Sequence, residues 1–358
     1  MEYLLIAVAL FLAFGNGAND NFKGFATVWG SESLGYRQAL LLATLATLAG
    51  SLLSLFLASG LAQQFSGKGL LPQAIVSAPQ FILSVGIGAA LTVIIATRVG
   101  LPISTTHALI GGLIGAGWAA SPDEVQFTQL GNSFLLPLLF SPVVAALLGL
   151  VAYRLLRLRP TAKDCACVLP PQAGLALPGG TLLSLATPQL LIADDATCDR
   201  LAQPRARFSI ARVQDHLHIL SAGLICFARA VNDTPKLAAL LVAAHLLQAQ
   251  LSIALIAVVM ALGGLLFARR VAETMSRRVT RMDPTQGLSA NLITATLVLG
   301  ASQFGLPVST THVSVGAIIG VGAGADTLNW GALRNVLLSW VATLPMAAGF
   351  AWLALTFF

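Results

Sequence analysis

Two strings in this chain have the residue types and spacing to do chemistry, and each occurs twice. GLPISTTH at 100–107 returns as GLPVSTTH at 305–312. GANDNFKGFA at 17–26 and RAVNDTPKLAA at 229–239 each hold Asn-Asp with a lysine three residues after the aspartate. In the first pair, Pro102 and Pro307 fit the start of a helix, where a missing N–H costs nothing. Ser104, Thr105, Thr106, Ser309, Thr310 and Thr311 then set hydroxyls beside unpaired backbone N–H groups. Donors converging with the positive end of a helix dipole make an anion site. A single string of this kind could equally cap its own helix. His107 and His312 follow at once and could be anion donors, proton carriers or braces for the hydroxyls.

In the second pair, Asn19 and Asp20 follow a Gly-rich break, and Asn232 and Asp233 precede Thr234-Pro235. Both look like N-caps opening a half-helix. Asp20 with Lys23, and Asp233 with Lys236, are spaced i,i+3, so each pair can meet on one helical face. A self-neutralising buried ion pair would explain that spacing, but charges inside a membrane usually mark a pathway or a proton relay. Arg229 could face a substrate or an interface. His245 reads as a satisfied core residue. Neither histidine of the STTH strings has carboxylates or further histidines at a metal spacing, so no metal ligand and no cofactor is expected.

The elements that must position these residues are membrane helices. The chain is 56% hydrophobic and 9% charged, with 33 glycines and a mean hydropathy of +0.83; a soluble domain carries roughly 25% charged residues. A net charge of +6 would suggest nucleic acid in a soluble protein. Here the basic residues cluster between apolar stretches, so no nucleic-acid partner is expected. The N-terminus lacks a basic region ahead of its apolar run and reads as the first membrane segment, not as a cleavable signal. A multi-pass protein of a bacterial inner membrane is expected.

Apolar stretches fall at about 3–29, 38–60, 74–98, 101–119 and 128–157, then at 214–241, 247–268, 286–303, 306–325 and 331–357. Those beginning at 3 and 214 are interrupted by polar residues, and broken helices survive in a membrane only where the freed backbone is buried in protein or lines a cavity. The short Gly-rich segments at 101–119 and 306–325 suit re-entrant hairpins. Residues 100–117 match 305–322 at eleven of eighteen positions with an offset of 205, and the Asn-Asp strings repeat at an offset of 213. This is an internal duplication. With five segments per copy the second copy is inverted, giving an all-α polytopic fold of two inverted repeats, 1–157 and 214–358. A loop or small cytoplasmic subdomain at 158–213 separates them.

Charge agrees with that topology. Arg154, Arg157, Arg159, Lys163, Arg200, Arg205, Arg207 and Arg212 lie in the central interval, and Arg269, Arg270, Arg277, Arg278 and Arg281 in a later loop. Two crossings separate these clusters, so both fall on the cytoplasmic side and the termini outside; Arg98 is read in a cytoplasmic turn. Gly111, Gly115, Gly316 and Gly320 make small-residue faces for helix packing. Trp29, Trp330 and Trp340 read as interfacial anchors. Cys165, Cys167 and Cys198 in the central interval, and Cys226, read as reduced thiols.

At GNGANDNFKGFATVWGS, GLPISTTH, VNDTPK and GLPVSTTH the chain resembles the inorganic phosphate transporter (PiT) family, over nearly its whole length outside 159–212. The resemblance implies a dimeric secondary transporter with inverted repeats that moves phosphate with a cation gradient, and not an enzyme. It also implies that Ser104, Thr105, Thr106, Ser309, Thr310, Thr311, Asn19, Asp20, Asn232 and Asp233 contribute to the phosphate and cation sites. One departure matters. Sodium-coupled members carry a second Asn three residues after the Asp, where this chain has Lys23 and Lys236. An amide oxygen can ligate Na⁺; an ammonium cannot. Coupling to H⁺ in place of Na⁺, or at least one fewer Na⁺ site, is therefore expected. Two alternatives stand beside this: the same fold carrying sulfate or another oxyanion, and an intramembrane hydrolase using an Asp20–Asp233 dyad or Ser104 with His107.

Overall fold

The computed structural model describes residues 1–65, 67, 69–157, 165–169, 189–193, 206–244, 247–279 and 282–358. Arg159, Lys163, Cys198, Arg200, Arg205, His245 and Arg281, singled out above, lie outside the described residues. The chain divides into two compact units: residues 1–153 with 218–358, and residues 154–217.

Ten principal helices carry the first unit among the described residues. They are α1 (Glu2–Asp20), α2 (Tyr36–Leu57), α3 (Pro79–Val99), α4 (Thr105–Ala120) and α5 (Leu136–Arg157), then α6 (Ile210–Ala243), α7 (Ala249–Phe267), α8 (Pro284–Gln303), α9 (Thr310–Ala325) and α10 (Trp330–Phe357). Among the described residues, six helices are long and apolar enough to cross a membrane: α1, α2, α3, α7, α10 and the run Phe127–Leu155 that contains α5. The protein is a multi-pass integral membrane protein.

The order of the last five helices restates that of the first five, and the packing is reciprocal between them. A Cβ on Gly115 of α4 would fall 2.0 Å from the Ala348 carbonyl of α10. One on Gly320 of α9 would fall 2.0 Å from the Ala146 carbonyl of α5. Gly111 and Gly316 meet Leu344 and Pro142 at 2.4 Å in the same relation. Likewise Gly50 of α2 lies against the Phe227 carbonyl of α6, and Gly263 of α7 against that of Phe14 in α1. Only a hydrogen fits at such crossings. The glycines expected to pack helices do so, each half against the other.

Several expectations need correction. The stretches at 101–119 and 306–325 are not hairpins: each is an extended entry followed by one 16-residue helix. At 1.5 Å per residue such a helix spans about 24 Å, short of the roughly 30 Å hydrocarbon core. Pro102 and Pro307 do not open helices either. They lie ahead of the N-caps Ser104 and Ser309, whose Oγ atoms accept the His107 and His312 backbone N–H at 3.1 and 3.2 Å.

The two Asn-Asp strings do not cap helix starts. Asn19 and Asp20 end α1, whose path then loosens into turns over residues 21–25, as its Gly-rich sequence allows. Asn232 and Asp233 sit inside α6, which continues through Pro235. Proline removes one backbone donor there, and neighbouring helices can supply the compensation a membrane interior requires. Trp340 is no interfacial anchor: its ring lies 3.7 Å from that of His312. Trp330 is exposed, and Trp29 packs with Phe22, Tyr36 and the Arg277 guanidinium.

The second unit holds a small antiparallel sheet in which β1 (Cys165–Leu169) pairs with both β2 (Gln189–Ala193) and β3 (Ala206–Ser209). Cys165 is a buried free thiol, whereas Cys167 is disulfide-bonded, against the expectation of reduced cysteines. Disulfide formation needs two Cβ atoms brought within bonding reach, which Cys-x-Cys spacing does not reveal.

Substituting Gly115 or Gly320 by leucine overpacks a crossing and is expected to cost at least about 1–3 kcal/mol. Gly300 has open space around its Cβ position, so Gly300→Ala should be nearly neutral. Thermal unfolding in detergent compares them, and equal midpoints for all three would refute the packing assignment.

Candidate functional site

The duplicated strings meet in one buried cluster. Asp20, Lys23, Arg229, Asp233 and Lys236 are each no more than 3% exposed, in a chain whose six spanning helices leave little water nearby. Lys23 Nζ donates to the Asp20 carboxylate, to the Thr311 hydroxyl and, at 2.9 Å, to the Ile103 carbonyl. Lys236 Nζ donates to the Asn232 amide oxygen, to Thr106 Oγ1 at 2.8 Å and to the Val308 carbonyl at 2.9 Å. It also lies 3.8 Å from Asp233 Oδ1. The two ammonium groups therefore occupy equivalent oxygen cages, each completed by a threonine hydroxyl of the opposite half.

The carbonyls in these cages are available for a local reason. Ile103 and Val308 precede the N-caps, so their C=O groups stand outside the helical ladder, which begins at the Ser104 and Ser309 carbonyls. The strings also clasp one another directly. Thr106 Oγ1 donates to the Val308 carbonyl at 3.3 Å, and Thr311 Oγ1 to that of Ile103 at 2.8 Å.

Between the cages lies a residue the sequence reading passed over. Asn16 Nδ2 is within 3.2 Å of Asp20 Oδ2, 2.9 Å of Thr105 Oγ1 and 3.2 Å of Asp233 Oδ2. An amide has two hydrogens, so the two carboxylates and the hydroxyl compete for them. Asn16 Oδ1 accepts from Arg229 Nη1 at 2.9 Å, while Arg229 Nη2 donates to Thr47 Oγ1 at 2.8 Å. Arg229 Nη1 is 3.9 Å from Asp233 Oδ2, and its Nε–H is buried without a partner. The signal for both residues was available: Asn16 and Arg229 stand four residues before the two aspartates, one helical turn away, at the repeat's own offset of 213.

Other expected site residues act as braces. Asn19 Nδ2 donates to Thr97 Oγ1 at 2.9 Å and to the Leu101 carbonyl at 3.1 Å, and its Oδ1 accepts from the Ile103 N–H at 3.1 Å. It thus holds the extended entry to α4. Asn232 Nδ2 donates to Ser302 Oγ at 2.8 Å. Ser104 and Ser309 serve as N-caps, and Thr310 is buried beside them. His107 and His312 contact those serines through backbone N–H groups and not through their rings. The rings lie against each other at 4.4 Å, with both Nδ1 atoms buried and unpartnered, on an apolar cleft of about 740 Å³ that Trp340 also lines.

Interlocked helical halves around a buried, charge-lined centre in a multi-pass membrane protein define a solute carrier. Residues 16–351 match the phosphate transporter family, and the chain belongs to that family, whose members are transporters and not enzymes. The chain is 32% identical to a Rhizobium meliloti protein described as a probable low-affinity inorganic phosphate transporter, covering 96% of this chain and 92% of that one. It is 25% identical to the chloroplastic inorganic phosphate transporter 2-1 of Arabidopsis thaliana, over 98% of this chain and 71% of the other. A solved structure of a sodium-dependent phosphate transporter matches the fold with a TM-score of 0.79 at 23% identity, covering 99% and 98% of the two chains.

Arg229→Met strands the Asn16 amide oxygen and removes one of two cations beside Asp233. Breaking a buried charged pair in this way is expected to cost about 3 kcal/mol. Combining it with Asp233→Asn should recover part of that loss in thermal unfolding. A fully additive double variant would show that the two residues are not coupled.

Proposed function

We propose that this protein carries inorganic phosphate across the membrane in symport with a proton, by alternating access between two inverted repeats (1–157 and 214–358). Phosphate binds where the duplicated strings converge. Arg229 Nε, which has no partner among the described residues, the Asn16 amide and the Thr105 and Thr310 hydroxyls are the donors assigned to it. Asp20 and Asp233 accept a hydrogen bond from the phosphate hydroxyl, which fully ionised sulfate lacks. A homodimer in the bilayer completes this reading.

The observation that carries it is the charge of the buried cluster. Counted at their formal charges, Lys23, Lys236 and Arg229 against Asp20 and Asp233 leave one net positive charge. An uncompensated charge away from water is costly, and a bound anion offsets it. The coupling ion follows from the cages. A carboxylate or amide oxygen, a backbone carbonyl and a threonine hydroxyl are the hard oxygen ligands a small cation would use, and an ammonium already holds each set. A tethered ammonium takes the place of a dissociable cation, and what comes and goes is a proton, since lysine changes its protonation readily when buried. A second reading, sodium coupling at another position, is favoured only by the sodium dependence of the structural neighbour.

Uptake of labelled phosphate into proteoliposomes under a Na⁺ gradient or a proton gradient, with sulfate as competitor, separates these. Proton-driven uptake that sulfate does not inhibit is expected. Lys23→Asn with Lys236→Asn should weaken the proton dependence and introduce stimulation by Na⁺. Uptake driven by Na⁺ alone in the unaltered protein would sink the lysine argument and leave phosphate transport standing. Uptake of sulfate in place of phosphate would move the substrate to another oxyanion.

A further inference from the structure

Where the end of α3 meets the residues following α7, an open cleft of about 820 Å³ is lined by two unlike groups of side chains. One is apolar, built from side chains that include Phe14, Leu266 and Phe267; the other holds Arg98, Arg269, Arg270 and Glu273. Leu266 and Phe267 are largely exposed, at 66% and 57%, on helices that cross the membrane, so this wall faces lipid.

The three arginines are not equivalent. Arg269 is engaged: its Nε donates to Glu273 Oε1 at 3.1 Å and its guanidinium lies 5.8 Å from the Tyr36 ring. Among the described residues Arg270 is held by one side-chain bond, Nη1 to the Arg98 carbonyl at 2.7 Å, which leaves most of its five N–H donors unused there. Arg98, exposed in the last turn of α3, makes no ion pair among the described residues. Two guanidinium forks with spare donors therefore stand at the head of an apolar cleft.

A guanidinium fork matches a phosphate group with two parallel hydrogen bonds. Free inorganic phosphate would use the arginines and gain nothing from the aromatic and aliphatic wall. A phospholipid with an anionic headgroup uses both: its phosphodiester meets the arginines and an acyl chain lies along Phe14, Leu266 and Phe267. Basic pockets between membrane helices on the cytoplasmic face recognise such headgroups, and the arginine excess assigns this rim to that face. We propose that this cleft is a binding site for an anionic phospholipid, distinct from the buried cluster that takes the transported ion. Thr97, which lines the cleft, accepts the hydrogen bond of Asn19, the neighbour of Asp20.

The test is lipid retention by the purified full-length protein, read by native mass spectrometry after exchange into phosphatidylglycerol or phosphatidylcholine. Phosphatidylglycerol should be retained preferentially, and R98Q/R270Q should lose that retention about tenfold or more, as expected for two arginines near a charged headgroup. Leu266→Trp, which obstructs the apolar wall and leaves both arginines intact, should lose it too. R98K/R270K keeps the charge without the fork and should fall between; these last two decide the matter if the glutamine variant does not fold. Equal retention of the two lipids, or retention unchanged by the substitutions, overturns the proposal. Displacement of the lipid by excess inorganic phosphate, with Leu266→Trp binding as the unaltered protein does, would also overturn it and make the cleft a vestibule for free phosphate.

Discussion

Three cations and two carboxylates stand almost fully buried at the centre of this protein, and a membrane interior tolerates such groups only when each is answered by another. The rest of the architecture meets that demand. Helix backbone cannot supply the needed acceptors, because its carbonyls are committed to their own ladder. The extended segments ahead of α4 and α9 can. Proline at 102 and 307 keeps the preceding residue out of the helical region, and the serine N-caps start the ladder late enough to leave the Ile103 and Val308 carbonyls for the two ammonium groups.

Reciprocity is the second consequence. Lys23 reaches Thr311, and Lys236 reaches Thr106. Gly115 and Gly320 let α4 and α9 sit on helices of the opposite half. Such mutual exchange is what a two-fold related pair of units produces. Neither half contains a complete cage, so the setting of each ammonium group exists only when both halves are docked.

The symmetry is broken where chemistry needs it to be. Asn16 and Arg229 hold corresponding positions, yet one is neutral and the other charged, and they bond to each other. The chain path differs as well: α1 ends at Asp20, while α6 passes through Asp233 and on to Ala243. A strictly symmetric centre of two Asp–Lys pairs would be neutral. Counted at formal charges, the single arginine gives it one excess positive charge.

By itself the sequence determined the membrane class, the ten helical segments, with the end of the first and the start of the fifth off by eight or nine residues, the duplication, and the two strings that carry the cluster, because hydropathy and repeat offsets are properties of order along the chain. It also determined that Asp and Lys three apart would meet. What it did not determine was which oxygens complete each cage, that Asn16 and Arg229 stand between the carboxylates, that Asn19 braces the entry to α4, and that the histidine rings turn away from the serines whose caps their backbone completes. It misjudged the short Gly-rich segments, which are single helices, and Cys167, which is disulfide-bonded. These depend on contacts between residues some 80 to 290 positions apart, and whether an amide faces a carboxylate or a turn is decided by how two helices cross, at glycines where only a hydrogen fits. Tertiary structure decided those points because spacing fixes which side of a helix a residue occupies but not what that side meets.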